Sequence, residues 1–526
     1  MAVTNVIPES LAAALAGDAT AWAAVNGIWL KDILDKHVAW LEDAKVAVYQ
    51  QAYDGYLESI DLRDKARGDD TNNKLFVNYA QLVVDTGVDY LTGKPIVWTV
   101  EDPEELAPKE LIDAYRKELM KLIRGEEAQL KLMEMLRQGC LAGYSAVIAW
   151  PDEKGKIDYD EFPAQEVIPI YDDRKRLRMV LRTYQVDIPQ ADGTVQPRAR
   201  VEVYDEKYLT YYLGTEKGDG YELDVTEVDT GNPVEHRAGR IPVAIYVNGT
   251  AATYATRLKL NGTSDLGNGI LSLLENYAAA MSDKANTVDY LLDQFLLLSG
   301  VDTDEGEVIK MRKARAIVLK AKESLAQFIS QSQEDDSVEH HLDRVRDTIH
   351  DMGQIPKLAD LSGATATEIK VKYAALEIKA GKKELYLGGA IRQLLAILTD
   401  MLNAKRLMAA GVEDTYSVLT GETAPPGSTP LYNSEWVAYT INRNMPQNYL
   451  EIATIVKALA GLVPDSYLYE LLWFMDDPVA ALAEMKVQKE TDAKAAADAA
   501  TAALGFGADF TNTGTSVTAG TSAATV

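Results

Sequence analysis

Near the start of the chain, Trp22, Val25, Trp29, Ile33, Val38 and Leu41 recur at helical spacing and predict helix over about 20–60. The polar stretch DKARGDDTNN leads into a second helix expected at 74–91. Gly93 and Pro95 in YLTGKP should stop it, glycine because it tolerates a left-handed cap and proline because it cannot continue a helix. A third helical run covers about 104–139. Near residue 143 the period changes to two. YSAVIAW, KIDYDEF, EVIPIYD, RMVLRTYQVD, ARVEVYDEKYLTYYLG, YELDVTEV and IPVAIYVNG are short and rich in β-branched and aromatic residues, with turns such as DEKG and ADG between them. No helical pattern intervenes, so an antiparallel meander is expected.

Helical spacing returns near 264, where Ser264 or Asp265 can cap. Ile270, Leu274, Tyr277, Met281, Val288, Leu292 and Phe295 then define a rod of about 34 residues, near 50 Å long. A compact interruption over 300–336 carries the basic run KMRKARAIVLKAK. Helix resumes at 337, with Val338, Leu342, Val345, Ile349 and Met352 forming a heptad seam. The segment DMGQIPKLADLSGATA, with Gly353, Pro356 and Gly363, breaks the seam. It restarts at Ile369, Tyr373, Leu376 and Ala380 and continues through Leu387, Ile391, Leu394 and Leu398, with Gly381, Gly388 and Gly389 as kink points. TAPPGSTP reads as a loop, SEWVAYTINRNMP as a strand and 446–490 as amphipathic helices. Beyond 491, Ala, Thr, Gly and Ser leave little to bury, and a disordered tail is expected.

Composition narrows the possibilities. At 526 residues and 47% hydrophobic, the chain can build two to four structural units. A net charge of −27 makes most of its surface repel nucleic acid and anionic membrane. The single cysteine, Cys140, permits no internal disulfide and, at a helix end in apolar company, reads as packed. The first base is Lys31, so the Ala-rich start lacks the basic region of a secretory signal. With no run of eighteen apolar residues, the expectation is a soluble intracellular protein that does not engage a membrane. The Asn-Gly-Thr triplets at 248–250 and 261–263 then meet no glycosylation machinery.

Catalytic patterns are missing. In EHHLDRVRDTIH the neighbours His340 and His341 diverge by about 100° around a helix, and the spacing matches no zinc pattern. LTGKP has proline where a phosphate loop needs a hydroxyl, and GYSAV lacks the second glycine of a nucleophile elbow. Asp172–Asp173 reads as a turn at a strand end. No cofactor or metal is expected, and no enzymatic activity. Lys310, Arg312, Lys313, Arg315, Lys320 and Lys322 form the one strong basic cluster, either a solvated face or a contact surface for an acidic partner or phosphates.

Five segments in order, NNKLFVNYAQLVVDTGVDYLTGKPI, VIPIYDD, EHRAGRIPVAIYVNG, SDLGNGILSLLENYAAAMSDKANTVDYLLDQF and EHHLDRVRDTIHDMGQIP, give a likeness over roughly 50–490. In these the chain resembles the portal proteins of tailed bacteriophages, of the siphophage type. The resemblance implies an α+β portal fold: a mixed α/β wing, a long helical stem, a small α/β clip and a helical crown, assembled as a ring of twelve copies. Carried over, 1–262 and 410–445 form the wing, 263–295 and 337–352 the stem, 296–336 the clip, 353–365 the tunnel loop, 366–409 a kinked channel-side helix and 446–490 the crown.

The same resemblance makes Gln354, Ile355, Pro356, Lys357, Leu358, Asp360 and Ser362 face DNA, and offers Gly353, Gly363, Gly381, Gly388 and Gly389 as hinges. Lys310, Arg312, Lys313, Arg315, Lys320 and Lys322 become clip contacts for the packaging motor or connector. The implied partners are other copies of the chain, double-stranded DNA passing without sequence preference, the terminase large subunit, head-completion proteins, and the major capsid and scaffolding proteins. The implied location is the capsid vertex of the virion, with host cytoplasm during assembly. Twelve copies at −27 each carry −324, and an acidic lumen would keep a duplex centred where lysines and arginines would grip it. The alternatives are a helical or ring-forming scaffold without a channel, and an acidic metal-dependent hydrolase.

Overall fold

The computed structural model describes residues 27–496 apart from 65–71, 153–154, 173, 175, 190–193, 225–230, 250–261, 293–294, 300–305, 307–308, 310–324, 330–334, 358–365, 428, 445–453, 455, 461, 465–467, 469–481 and 483. The described residues within 1–361 and 371–445 form one compact unit, and those within 362–370 and 446–526 a second.

In the larger unit the first predicted helix is three: α1 (Gly27–Asp43), α2 (Val46–Tyr53) and α3 (Glu58–Asp61). The breaks fall at Lys45, which adopts φ 56°, and at Gly55 with φ 86°, left-handed positions that no helix continues through. α4 (Tyr79–Thr92) starts five residues later than its periodicity suggested, because the Asn78 side chain caps it by accepting from Gln81 N. It ends at Gly93 as expected, though not through a left-handed cap: φ is −69°. Glycine is needed there for space, since a Cβ would collide with the backbone carbonyl oxygen of Asp89. The third run splits into α5 (Lys109–Ile123) and α6 (Glu126–Ala142) around Gly125 at φ 129°.

Every strand pairing is antiparallel among the described residues. β4 (Val167–Tyr171), β5 (Leu177–Pro189), β6 (Val195–Tyr204), β7 (Tyr208–Gly214) and β8 (Tyr221–Leu223) follow one another across a sheet, with β9 (Val234–Glu235) also on β7. β10 (Val243–Val247), β2 (Tyr144–Pro151) and β3 (Ile157–Pro163) make a second sheet, and β1 (Val97–Val100) pairs β13 (Val437–Thr440). The meander expected from the alternating segments is borne out from β4 to β8; it does not extend to the last segment, since β10 returns to pair β2 in the separate sheet. The segment VIPIY looks uniformly apolar because both faces of its sheet are covered. Val167 and Val180 join Tyr144, Ile148 and Val243 in one core, while Ile168, Ile170, Met179 and Leu181 pack with Leu30 and Leu34 of α1 in another.

α7 (Ile270–Leu292) begins after a turn over 265–269, so it is 23 residues and about 35 Å long, shorter than the expected rod. It packs on α8 (Asp335–Gly353), and β11 (Phe295–Ser299) pairs β12 (Leu325–Ile329) between them. The helices run antiparallel: Lys284 pairs with Glu339, and Asn276 meets His341 at 3.0 Å. Leu274 and Ala278 are buried, as are Leu342, Val345 and Ile349, so these seams are largely covered within one chain; Val288 and Met352 at their ends stay exposed. Residues 72–78, of which 74–78 were expected as helix, instead form a strap along α7. Asn73 N donates to Asn286 Oδ1 at 2.6 Å and Leu75 N to Ser282 Oγ at 2.9 Å, side chains supplying partners that a strand ladder would otherwise give.

α9 (Ala366–Ala409) is one helix of 44 residues with no assigned break at Gly381, Gly388 or Gly389. Gly388 serves packing and not bending: a Cβ there would lie 2.6 Å from Tyr439 Oη. By length and composition α9 matches a membrane span, but 61% of its most apolar window is buried in the fold. α10 (Thr415–Leu419) and the return strand β13 complete the larger unit. In the smaller unit, helix continues over 484–496, past the point at 491 where a disordered tail was expected. Alanine, frequent at that end, has the highest helix propensity available. The remainder of the tail, 497–526, lies outside the described residues.

Candidate tunnel loop and assembly surfaces

The segment singled out as the tunnel loop leaves α8 by a tight turn. Gly353 is still helical and lies against Val83, where a Cβ would sit 3.1 Å from its Cγ2. Gln354 adopts φ 56°, and Ile355 N then donates back to His350 O at 3.0 Å. Ile355 is 6% exposed, which corrects its assignment as DNA-facing: the turn folds its side chain under the helix end. Gln354, Pro356 and Lys357 are half-buried. The loop's one base does not project freely, because Lys357 Nζ sits 2.7 Å from Asp347 Oδ1 on α8. Its charge holds the Asp347 carboxyl below the usual range. Leu358, Asp360, Ser362 and Gly363 lie outside the described residues, as do Lys310, Arg312, Lys313, Arg315, Lys320 and Lys322.

Behind this turn is a buried polar junction that sequence reasoning missed. Asp265, expected as a cap for α7, instead takes Lys383 Nζ on Oδ1 at 2.9 Å and Lys379 Nζ beside Oδ2 at 3.1 Å. The second contact is an ion pair without an aligned hydrogen bond. Lys379 also donates to Gly353 O at 3.0 Å, so the residue opening the loop and the base of α7 share one ammonium. Lys383 donates further to Asn248 Oδ1 at 2.7 Å and Cys140 Sγ at 2.8 Å. Asn248 Nδ2 donates to Asp265 Oδ1 at 2.9 Å. Burial pushes the Asp265 carboxyl up, but Lys383 and then Lys379 more than offset it and hold it well below the usual range. Burial opposes the Lys383 charge, and Asp265 more than restores it. Cys140 is buried as expected, though in polar and not apolar company, and burial raises its thiol against the pull of Lys383. The available signal was Lys379 and Lys383, four apart, on the face of α9 that also carries Leu376, Ala380 and Leu387.

The remaining candidates are structural. Asp172 accepts from Arg174 N and Arg176 N at 2.9 Å each; those contacts, Arg176 N foremost, hold it at about 2, the signature of a turn anchor. Asp173 lies outside the described residues. His341 meets Asn276, and no group of three metal-ligating residues occurs among the described residues. His236 accepts from Ala238 N on Nδ1 and donates from Nε2 to Asp205 O. His37 donates from Nε2 to Ala164 O at 2.8 Å. Burial lowers both to about 4, so both imidazoles stay neutral.

On the outside of α9, Val371, Ile378 and Leu385 are 70, 71 and 80% exposed. They fall seven residues apart, on the face opposite buried Tyr373, Leu376, Ala380 and Leu387. A helix apolar on both sides is built to be covered on both sides.

A family model described as phage portal protein, SPP1 Gp6-like, matches residues 32–495. The chain is 24% identical over 340 residues to the portal protein of Bacillus phage SPP1, an alignment covering 61% of each chain. It is 22% identical over 454 residues to the portal protein of Clostridium phage phiCD119, covering 81% of this chain and 88% of that one.

Proposed function

The chain belongs to the SPP1 Gp6-like phage portal family, and from that premise we propose that it assembles head to tail into a ring at a capsid vertex, a passive conduit for double-stranded DNA. The observation that carries this is the ridge Val371, Ile378 and Leu385. Twenty-one ångströms of exposed aliphatic ridge, taken as about fourteen residues of helix rise, is surface that another copy covers. The α7 and α8 seams do not carry it, being largely covered within the chain.

In this reading the strand-rich residues up to 262 and 410–445 are wing, α7 and α8 are stem, the β11–β12 hairpin opens the clip, 353–365 is the tunnel loop and 446–490 contributes to the crown. Lys357 neutralised by Asp347 suits a channel that lets DNA slide, since a free ammonium would bind phosphate and release counterions. The energy for movement comes from a docked terminase motor, and the basic run over 310–322 is the contact we assign to it or to a connector. Head-completion, capsid and scaffolding proteins are its other partners. Native mass spectrometry with negative-stain microscopy tests the ring. Twelve copies of the 57.7 kDa chain give an annulus of about 690 kDa. A compact single-chain species under packaging-like conditions overturns the reading.

A further inference from the structure

The ridge on α9 has a counterpart elsewhere on the same unit. Between α2, α3 and the start of α7 lies an open groove of about 290 Å³ lined by Val48, Tyr56, Leu57, Leu62, Glu58 and Glu275. Leu62 is 70% exposed and Tyr56 40%. The groove holds roughly ten waters' worth of liquid, which an entering aliphatic side chain would expel.

Charge distinguishes the two surfaces. The groove rim is acidic: Glu58 and Glu275 line it, Ser59 Oγ donating to Glu275, and exposed Asp54 and Asp61 stand beside it. The ridge is flanked by exposed Lys372 and Lys382, in a chain whose net charge is −27. The acids on that stretch, Glu377 and Glu384, are both taken by Arg443. Lysines therefore stand beside the outward apolar ridge, and carboxylates beside the apolar groove.

Placement decides the symmetry. α4 lies between the two surfaces. On one flank Tyr53 OH donates to Asp85 of α4 at 2.8 Å; on another, Tyr90 OH of α4 donates to Glu377 of α9. Asp85 and Tyr90 are five residues apart, about 140° around the helix. Two different complementary patches on separated flanks suit a heterologous contact, which propagates in one rotational sense and forms a ring where that rotation closes. A two-fold dimer would instead need both ridge-in-groove contacts to form reciprocally about one axis, and would give covalent dimers in place of a ladder in the test below.

We propose that the Val371–Ile378–Leu385 ridge of one copy seats in the Val48–Tyr56–Leu62 groove of the next, with Lys372 and Lys382 against Glu58 and Glu275. This rests on the ring reading and names the joint. The test introduces Tyr56→Cys and Leu385→Cys together in the full chain, then oxidises it or bridges it with a short bismaleimide. Cys140 is buried and does not compete. The expected result is a denaturant-resistant ladder of covalent oligomers from the double variant and none from either single variant. Dimers from Leu385→Cys alone, or rings under the microscope without a ladder, overturn this joint and leave the ring reading standing. A wild-type chain that never forms rings overturns both. As a second measurement, Glu58→Lys with Glu275→Lys should abolish assembly, and Lys372→Glu with Lys382→Glu in the same chain should restore it. Failure of that rescue counts against the joint.

Discussion

Replacing Lys383 with methionine and replacing Asp265 with asparagine perturb the same buried junction by unequal amounts, and the order can be worked from its charges. One carboxylate serves two ammoniums, Lys383 at 2.9 Å and Lys379 at 3.1 Å. Lys383→Met removes one cation and leaves a neutral Asp265–Lys379 pair. Breaking a buried ion pair costs about 3–5 kcal/mol, and the remaining partner places this variant near the lower figure, about 3 kcal/mol. Asp265→Asn leaves two buried ammoniums with no counter-charge. The cheapest escape is to deprotonate one, which at pH 7 costs about 4.6 kcal/mol for a lysine of ordinary pKa 10.4. Asp265→Asn is therefore the more damaging change, although it is the more conservative in shape. It also carries a pH signature. The folded variant holds a lysine whose pKa is depressed, so the unfolded chain binds more protons and stability recovers as pH rises, by about 1.4 kcal/mol per unit up to the unfolded lysine value. Urea unfolding followed by tryptophan fluorescence, at one fixed protein concentration because association shifts the midpoint, measures both effects. If Lys383→Met costs as much as Asp265→Asn, or the Asp265→Asn deficit does not shrink between pH 7 and 9, the junction does not work as described.

His37 and His236 are buried neutral with values near 4 against 6.5 unfolded. Their contribution is therefore complete above pH 6.5 and is lost as pH falls towards 4, about 1.4 kcal/mol each by pH 5.5 and about 3 each below 4. A His37→Gln, His236→Gln double variant should flatten the pH dependence of stability across that window, and an unchanged slope would contradict the assignment. Gly139→Ala places a Cβ 2.3 Å from the fully buried Tyr246 ring and should cost about 1–3 kcal/mol. Gly381→Ala meets nothing within 4 Å and should stabilise by about 0.5–1 kcal/mol in thermal melts. Loss of DNA packaging in an otherwise well-folded Gly381→Ala would restore the hinge role that the unbroken helix argues against. Leu385→Arg should leave unfolding of the isolated subunit within about 0.5 kcal/mol of wild type while eliminating rings from native mass spectra.

Sequence periodicity located what depends on local alternation. The strands from β2 to β8, the seams at Leu342, Val345 and Ile349, and the apolar face of α9 all follow from residues within a few positions of one another. What escaped depends on distant partners. Residues 74–77 look as helical as those that follow, but Asn286 and Ser282, some two hundred residues away, hold the backbone at Asn73 and Leu75 and keep the segment out of the helix. Asp265 has the right type and place for a helix cap, and only the approach of Lys383 across 118 positions makes it an ion-pair partner. Ile355 sits among breakers in a segment that reads as exposed, and a single left-handed residue, Gln354, turns it inward. The lysines inside the α9 seam were the visible clue that an acid had to be waiting opposite.

The ammonium of Lys379 touches both the carbonyl of Gly353 and the carboxylate of Asp265. A tug on the strand of chain leaving Gly353 is thus not absorbed by unravelling the last turn of one rod. It is carried through one ammonium to α9 and to the base of α7, so three segments distant in sequence share the load at a single point.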